Sequence, residues 1–432
     1  MSSPKPPRNH LLKKQWFHLD DAAKIYLLVS TAKWSALLRV AAVLKRKINP
    51  ALLQKAADAV LPRFPIMNAQ VRSGIFCYRL KENPKRLIVK PDKGFPCAPI
   101  KWRRKHAHLL RILYTDKRIA VEFFHAVTDG SGAMVFLKTL VAEYLRLCGI
   151  NIPCKEGILD LKKGPQKEEM VDAFKEMPLP KAKKARTQGT AYHFSRGQKN
   201  AQTKRLITYI VLAKEIQNKA KAIGVSVTQY LTAALLYISY KKQTEDNPNK
   251  KLPVRVTVPV DMRQFFPTQA VRNCSWFIQP EIIPPFDNLT FESIASNVHQ
   301  FMKEALVPEK LYADIAPNAS LGKSLCIRLT PLLIKKLIIR AIYKARANTS
   351  ATTSLSNLGI FKGPKEMMSH IEGAEFMLGP SKAASVLVTV LTTNETMRIT
   401  FTSNQEDPIL PEGLENFFSQ QNIIAKKEVI SE

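Results

Sequence analysis

The residues best suited to do chemistry are His125-Ala126-Val127-Thr128-Asp129-Gly130. An imidazole titrates near working pH. A neutral His125 can therefore take a proton from a hydroxyl, amine or thiol as that group attacks an acyl thioester, and no free alkoxide forms. Asp129 lies too close along the chain to be assumed a triad partner; its carboxylate could equally pair with an arginine and brace the loop. Gly130 permits a tight turn into the following helix. The spacing H-x-x-x-D-G occurs by chance in many chains, and a histidine beside apolar residues is more often structural. What separates the two readings is where the motif falls.

It falls at the end of a strand. His108–Tyr114 and Arg118–Phe124 read as a hairpin about Asp116 and Lys117, and helical periodicity resumes from Ala133 to Leu147. Working side chains are common at such strand ends. Upstream, Ser35–Leu44 reads as a strand. Asn49 reads as an N-cap with Pro50 at the first helical position, and the apolar stripe Leu52, Leu53, Ala56, Ala57, Val60, Leu61 stops before Pro62. Shorter strand-like runs follow at Ile66–Val71, Ile75–Leu80 and Arg86–Lys90. Residues 151–204 are basic, proline-bearing and poor in periodicity, with one short helix near Glu168–Phe174, and read as a crossover between an N-terminal lobe (1–150) and a C-terminal lobe (205–432). In the second half we expect a strand at Leu206–Leu212, a Ser226-capped helix from Val227, and a strand through Val254, Val256 and Val258 that runs into Val258–Arg263 (VPVDMR). A strand Ser275–Ile283, a helix Phe291–Leu306, a strand Thr352–Ile360 and a hairpin through Asn394 and Glu395 follow.

A chain of 432 residues is long for one core, and 45% apolar residues can fill two. The charge is unusual: 66 Lys and Arg against 35 Asp and Glu, a formal net of +31. Such an excess attracts nucleic acid, anionic lipid or phosphate-bearing cofactors. No helix-turn-helix, zinc-finger or RNA-recognition signature accompanies it, and aromatics are not interleaved for base stacking, so nucleic-acid binding is not expected. The six cysteines form no C-x-x-C pair and fit a reducing cytoplasm. His106 and His108 have no carboxylate or thiol nearby to complete a metal site. The N-terminus lacks an apolar signal region, and no apolar run is long enough to span a bilayer. Ser324–Arg346 is the best candidate for peripheral membrane contact; it reads more readily as a packed amphipathic helix.

Taken together, His125–Gly130, the opening run Leu19–Pro65, VPVDMR at Val258–Arg263 and SLSNLG at Ser354–Gly359 resemble the chloramphenicol acetyltransferase-like superfamily, in order and spacing over nearly the whole chain. Condensation domains usually carry a second histidine before the catalytic one, where this chain has Phe124, and the D-F-G-W-G motif of the plant enzymes is absent. The resemblance is therefore to stand-alone bacterial alcohol acetyltransferase-like proteins.

That resemblance implies an α/β (α+β) two-lobed fold, with two mixed sheets, flanking helices and a channel between the lobes. It implies His125 as general base without an acyl-enzyme, Asp129 and Gly130 shaping the loop, and Arg263 bracing Asp129. Ser354, Ser356 and Asn357 become candidates for holding the oxyanion or donor, against a plainer role in strand-end hydrogen bonding. No cofactor is expected to be resident. Acyl-CoA, or an acyl carrier protein thioester, would be co-substrate to a small alcohol or amine acceptor, the chain acting as a monomer. An acidic carrier protein and CoA phosphates would both suit a basic surface. A non-catalytic binding protein of the same fold is the alternative from another class.

Overall fold

The computed structural model describes residues 16–31, 34–182, 189–194, 204–246, 252–285, 289–346, 351–380, 386–403 and 409–431. Two hydrophobic cores organise it, giving two lobes.

The first core forms on a five-stranded mixed sheet in the order Ile371–Leu378, Leu37–Leu44, Arg118–Phe124, Leu110–Tyr114, Lys90–Pro91. Leu37–Leu44 and Arg118–Phe124 are near-continuously apolar because both lie inside this sheet, paired antiparallel from Leu37 opposite Phe124 to Val43 opposite Arg118. The helices Pro50–Val60 and Gly130–Leu147 cover it. The Asn49 carboxamide accepts from the backbone N–H of Ala51 and Leu52, and Pro50 occupies the first helical position. A small antiparallel sheet of Trp16–Phe17, Tyr78–Glu82 and Ala69–Ser73 is added to the two expected.

The second core lies on an eight-stranded sheet. Its main order is Ser275–Ile278, Val254–Asp261, Thr353–Ile360, Val386–Thr393, Thr396–Ser403, Arg205–Leu212, Ala425–Ser431, with Glu281–Ile282 also paired to Val254–Asp261. Thr353–Ile360 runs parallel to both neighbours, so this sheet too is mixed. The expected strand Ser275–Ile283 is two pieces, since Pro280 has no N–H to continue the ladder. Ser226 and Gln229 cap the Val227–Asp246 helix reciprocally, Ser226 Oγ accepting from Gln229 N–H and Gln229 Oε1 from Ser226 N–H.

Three features depart from expectation. First, Ile371–Leu378, placed by sequence with the second lobe, pairs antiparallel with Leu37–Leu44, so the chain returns to the first lobe before completing the second. Second, residues 151–182 are no loose crossover. Ile152 and Ile158 enter the first core, Ala173 and Met177 enter the second, and two one-turn helices (Lys167–Met170, Ala173–Glu176) lie between. Third, the helix Leu332–Arg346 packs through Leu332 and Ile339 yet turns a row of large apolar side chains outward. Among the described residues no single helix is long and apolar enough to cross a membrane; one bent pair, Ala213–Ala222 with Val227–Asp246, passes on composition, but the second helix is mostly core.

Candidate active site

His125 stands where the strand Arg118–Phe124 ends, its backbone N–H donating to Ala36 O at 2.9 Å. The ring is packed against protein and keeps a partly accessible edge. The Tyr26 ring, from the helix Asp21–Val29, stacks on it at 4.3 Å between centroids and 19° between planes.

His125 Nδ1 lies 3.0 Å from Asn273 Oδ1. Asn273 Nδ2 donates at 3.2 and 3.3 Å to the two carboxylate oxygens of Asp20. An ionised carboxylate only accepts, so the amide nitrogen must face Asp20 and the amide oxygen must face the imidazole. His125 therefore carries its proton on Nδ1, and Nε2 holds the free lone pair. Asp20 is wholly buried. It also accepts from Ala23 N–H at 2.7 Å as a helix cap and pairs with Arg272 at 3.3 Å.

Burial lowers the pKa of His125, an effect that Asp129 partly opposes, so the imidazole stays a neutral base below the usual histidine range. Burial pushes Asp20 up to about 6, with Arg272 opposing. Both working forms, neutral His125 and ionised Asp20, are thus lost as pH falls. The kcat/KM profile should drop on its acid side with a slope approaching about two protons in the wild type. In Asp20→Asn, which keeps a capping side chain, the slope should fall to about one. A slope unchanged by the substitution would exclude Asp20 from the relay.

Asp129 is the N-cap of the helix Gly130–Leu147, Oδ1 accepting from Gly132 N–H at 3.0 Å. Its other oxygen accepts from Cys274 N–H at 2.7 Å. The Arg263 guanidinium grips both, Nη1 to Oδ2 at 3.0 Å and Nη2 to Oδ1 at 3.2 Å. Arg263 also donates to Ala270 O at 2.8 Å, Arg272 O at 2.6 Å and Asp261 Oδ1 at 2.9 Å. Such a fork between planar groups fixes direction as well as distance. Thr128 Oγ1 adds a bond to Val271 O at 2.7 Å. Val271, Asn273 and Cys274 are therefore each bonded to the loop 125–132, and Arg263 ties Ala270 and Arg272 to it through Asp129.

The role read for Gly130 changes. Its φ is not left-handed; instead a Cβ there would sit 2.5 Å from Leu358 Cδ2, the end of a side chain that can yield. The demanding position is Gly132, where a Cβ would lie 2.2 Å from both Thr128 Oγ1 and the backbone oxygen of Val271. Gly132→Ala should destabilise the protein by about 1–3 kcal/mol, read as a lower denaturation midpoint, whereas Gly130→Ala should be milder.

The strand Thr353–Ile360 sorts its candidates by alternation. Leu355 points into the second core, and Asn357 Nδ2 donates to Thr228 Oγ1 at 3.1 Å while its Oδ1 accepts from Gly359 N–H at 2.8 Å. Ser354 and Ser356 share the other face with Leu358, which lies against Gly130. Among the described residues no hydrogen bond joins any of these three candidates to His125. A cavity of about 190 Å³ opens nearby in the seam, between Ser131, Met134 and Lys138 of one lobe and Leu358, Ile360 and Lys362 on the other side; His125 is not in its wall.

Sequence reasoning missed Asn273, Asp20, Arg272 and Tyr26. A signal existed in the polar pair Arg272-Asn273 between apolar neighbours, ten residues beyond VPVDMR, and in the paired aspartates at 20 and 21. Among the described residues no group of three or more His, Cys, Asp or Glu is placed to hold a metal ion.

Two lobes of this construction, meeting at a histidine loop, have the fold of the condensation domains. The alcohol acetyltransferase family profile matches residues 169–407, more than half of the chain, and the chain belongs to that family. Among solved structures it is similar to TRI101 of F. sporotrichioides, complexed with coenzyme A and T-2 (13% identity, 96% of this chain and 99% of that one, TM-score 0.62). It is likewise similar to polyketide synthase associated protein 5 from Mycobacterium tuberculosis (15%, 93% and 96%, 0.59) and to the starter condensation domain of rhizomide synthetase RzmA (13%, 94% and 96%, 0.55). No curated protein sequence matches.

Proposed function

We propose that this acyltransferase moves an acyl group, acetyl being the simplest case, from an acyl-CoA thioester to an alcohol, with His125 as general base. The observation that carries the reading is the Asp20–Asn273–His125 relay, which commits the proton to Nδ1 and leaves Nε2 as acceptor. Nε2 takes the hydroxyl proton as the oxygen attacks the thioester carbonyl. The tetrahedral oxyanion collapses, the C–S bond breaks, and the leaving thiolate takes the proton back from the imidazolium. No acyl-enzyme forms.

Asp129 and Arg263 hold the loop rather than touch the reactants. Ser354 and Ser356, on the face turned to the first lobe, are the oxyanion or donor contacts in this reading, and Asn357 supports their strand. A monomeric state and a cytoplasmic setting belong to the same proposal. The net charge of +31 favours a second donor, an acyl carrier protein with an acidic surface.

The test is thiol release from acetyl-CoA and longer acyl-CoAs against a panel of alcohols and amines. Release that depends on an alcohol supports the reading. Release only with amines replaces the acceptor class, and release only with carrier-bound thioesters replaces the donor. No release with any pair leaves a binding protein.

A further inference from the structure

The helix Leu332–Arg346 is amphipathic the wrong way round for a core helix. Leu333, Leu337 and Ile338 are 77%, 71% and 51% exposed, and Ile334 and Ile342 lie on the same outward row. Half-buried Lys335, Lys336 and Arg340 flank that row, while Leu332 and Ile339 face the protein. The basic groups are fastened there: Arg340 donates to Leu28 O at 2.9 Å and Lys335 to Phe76 O at 2.8 Å.

A second segment extends the apolar surface. In the turn Gly74–Cys77, Ile75 is 75% exposed and Phe76 is also exposed, and Ile75 O accepts from Leu332 N–H at 2.8 Å. Leu329, 62% exposed, continues it on the other side. The surround is basic. Between Asp314 and Glu366 the sequence has no carboxylate side chain, and exposed Arg103, next to the buried Trp102, lies near Lys336, whose pKa is lowered by burial and then by Arg103 and Arg340.

Outward leucine and isoleucine rows with a rim of lysine and arginine match the two layers of an anionic bilayer, acyl chains beneath phosphate headgroups. A carrier protein would meet the rim but leave the leucines in water. We propose that this face, Leu329–Ile342 with Ile75 and Phe76, seats the protein on an anionic phospholipid surface. The proposal is independent of the acyl-transfer reading and is measured without turnover.

The test is flotation of the full chain with vesicles of phosphatidylcholine alone or mixed with phosphatidylglycerol, at low and physiological salt. The wild type should float with the anionic vesicles and bind the neutral ones more than about tenfold less well. Leu333→Ser/Leu337→Ser, neutral in charge and on exposed positions, should lose more than about tenfold in binding with an unchanged thermal midpoint. Lys336→Glu should also weaken binding, whereas Lys214→Glu, on the exposed side of a second-lobe helix, should not. Absence of flotation, flotation indifferent to the serine pair, or equal loss from Lys214→Glu would each overturn the proposal, the last assigning binding to bulk charge. So would a wild-type dimer that the serine pair dissociates without any vesicle binding. If the serine pair fails to fold, the contrast between Lys336→Glu and Lys214→Glu decides.

Discussion

His125→Ala should lower kcat for acceptor-dependent thiol release by about 10²–10⁴-fold while the thioester KM changes little. Among the described residues the imidazole is the base that the site's hydrogen bonds orient: Nδ1 is committed to Asn273, and stacking on Tyr26 fixes the ring plane. Because burial already lowers the His125 pKa, the neutral form predominates at pH 7, so the loss should appear there in full and raising the pH should not rescue it. Equal release from wild type and variant would remove His125 as the base. A fall confined to KM would make it a binding residue instead.

Asp129→Ala is expected to be the most damaging substitution to the fold of the site, at about 3–5 kcal/mol. It takes the forked partner from the largely buried Arg263 guanidinium, which is left with Asp261 and two carbonyls, and leaves the buried N–H groups of Gly132 and Cys274 without their acceptor. Arg263→Met alone leaves the buried carboxylate with two N–H donors, so it should cost less. In the double variant both charges are gone, and its loss should fall short of the sum of the singles. Denaturant titration of the four proteins reads this coupling; strict additivity would mean that the pair does not act as a unit. A second readout separates positioning from folding. The negative charge of Asp129 raises the His125 pKa, so its removal should move the acid side of the residual kcat/KM profile to lower pH.

Much of this site was legible in the sequence, and the reason is local. His125 and Asp129 are tied to chain geometry, a strand end and a helix cap, which short-range patterns report. Apolar alternation likewise marked Val254–Asp261 and the hairpin through Asn394, whose φ of 53° suits asparagine. Asn273 and Asp20 were not legible, because their work depends on a meeting across about 250 residues of chain that no periodicity encodes. Gly132 was overlooked for a similar reason: it is glycine because Val271 crosses close to it, a long-range fact. The helix Leu332–Arg346 misled differently. Its apolar period is genuine, but period alone does not say which side meets protein.

The return of Ile371–Leu378 to the first sheet bears on how such a chain can be rearranged. A gene cut anywhere in residues 151–204 would leave the N-terminal product with Leu37–Leu44 as a bare, apolar sheet edge, ready to pair with whatever strand it meets. Chimeras assembled from the halves of two relatives would have to match two unrelated surfaces at once, the edge beside Leu37–Leu44 and the seam at residues 270–274. Split-protein reporters and circular permutants would do better opened at Asn394, a tight hairpin within one sheet, than at the apparent junction between the lobes.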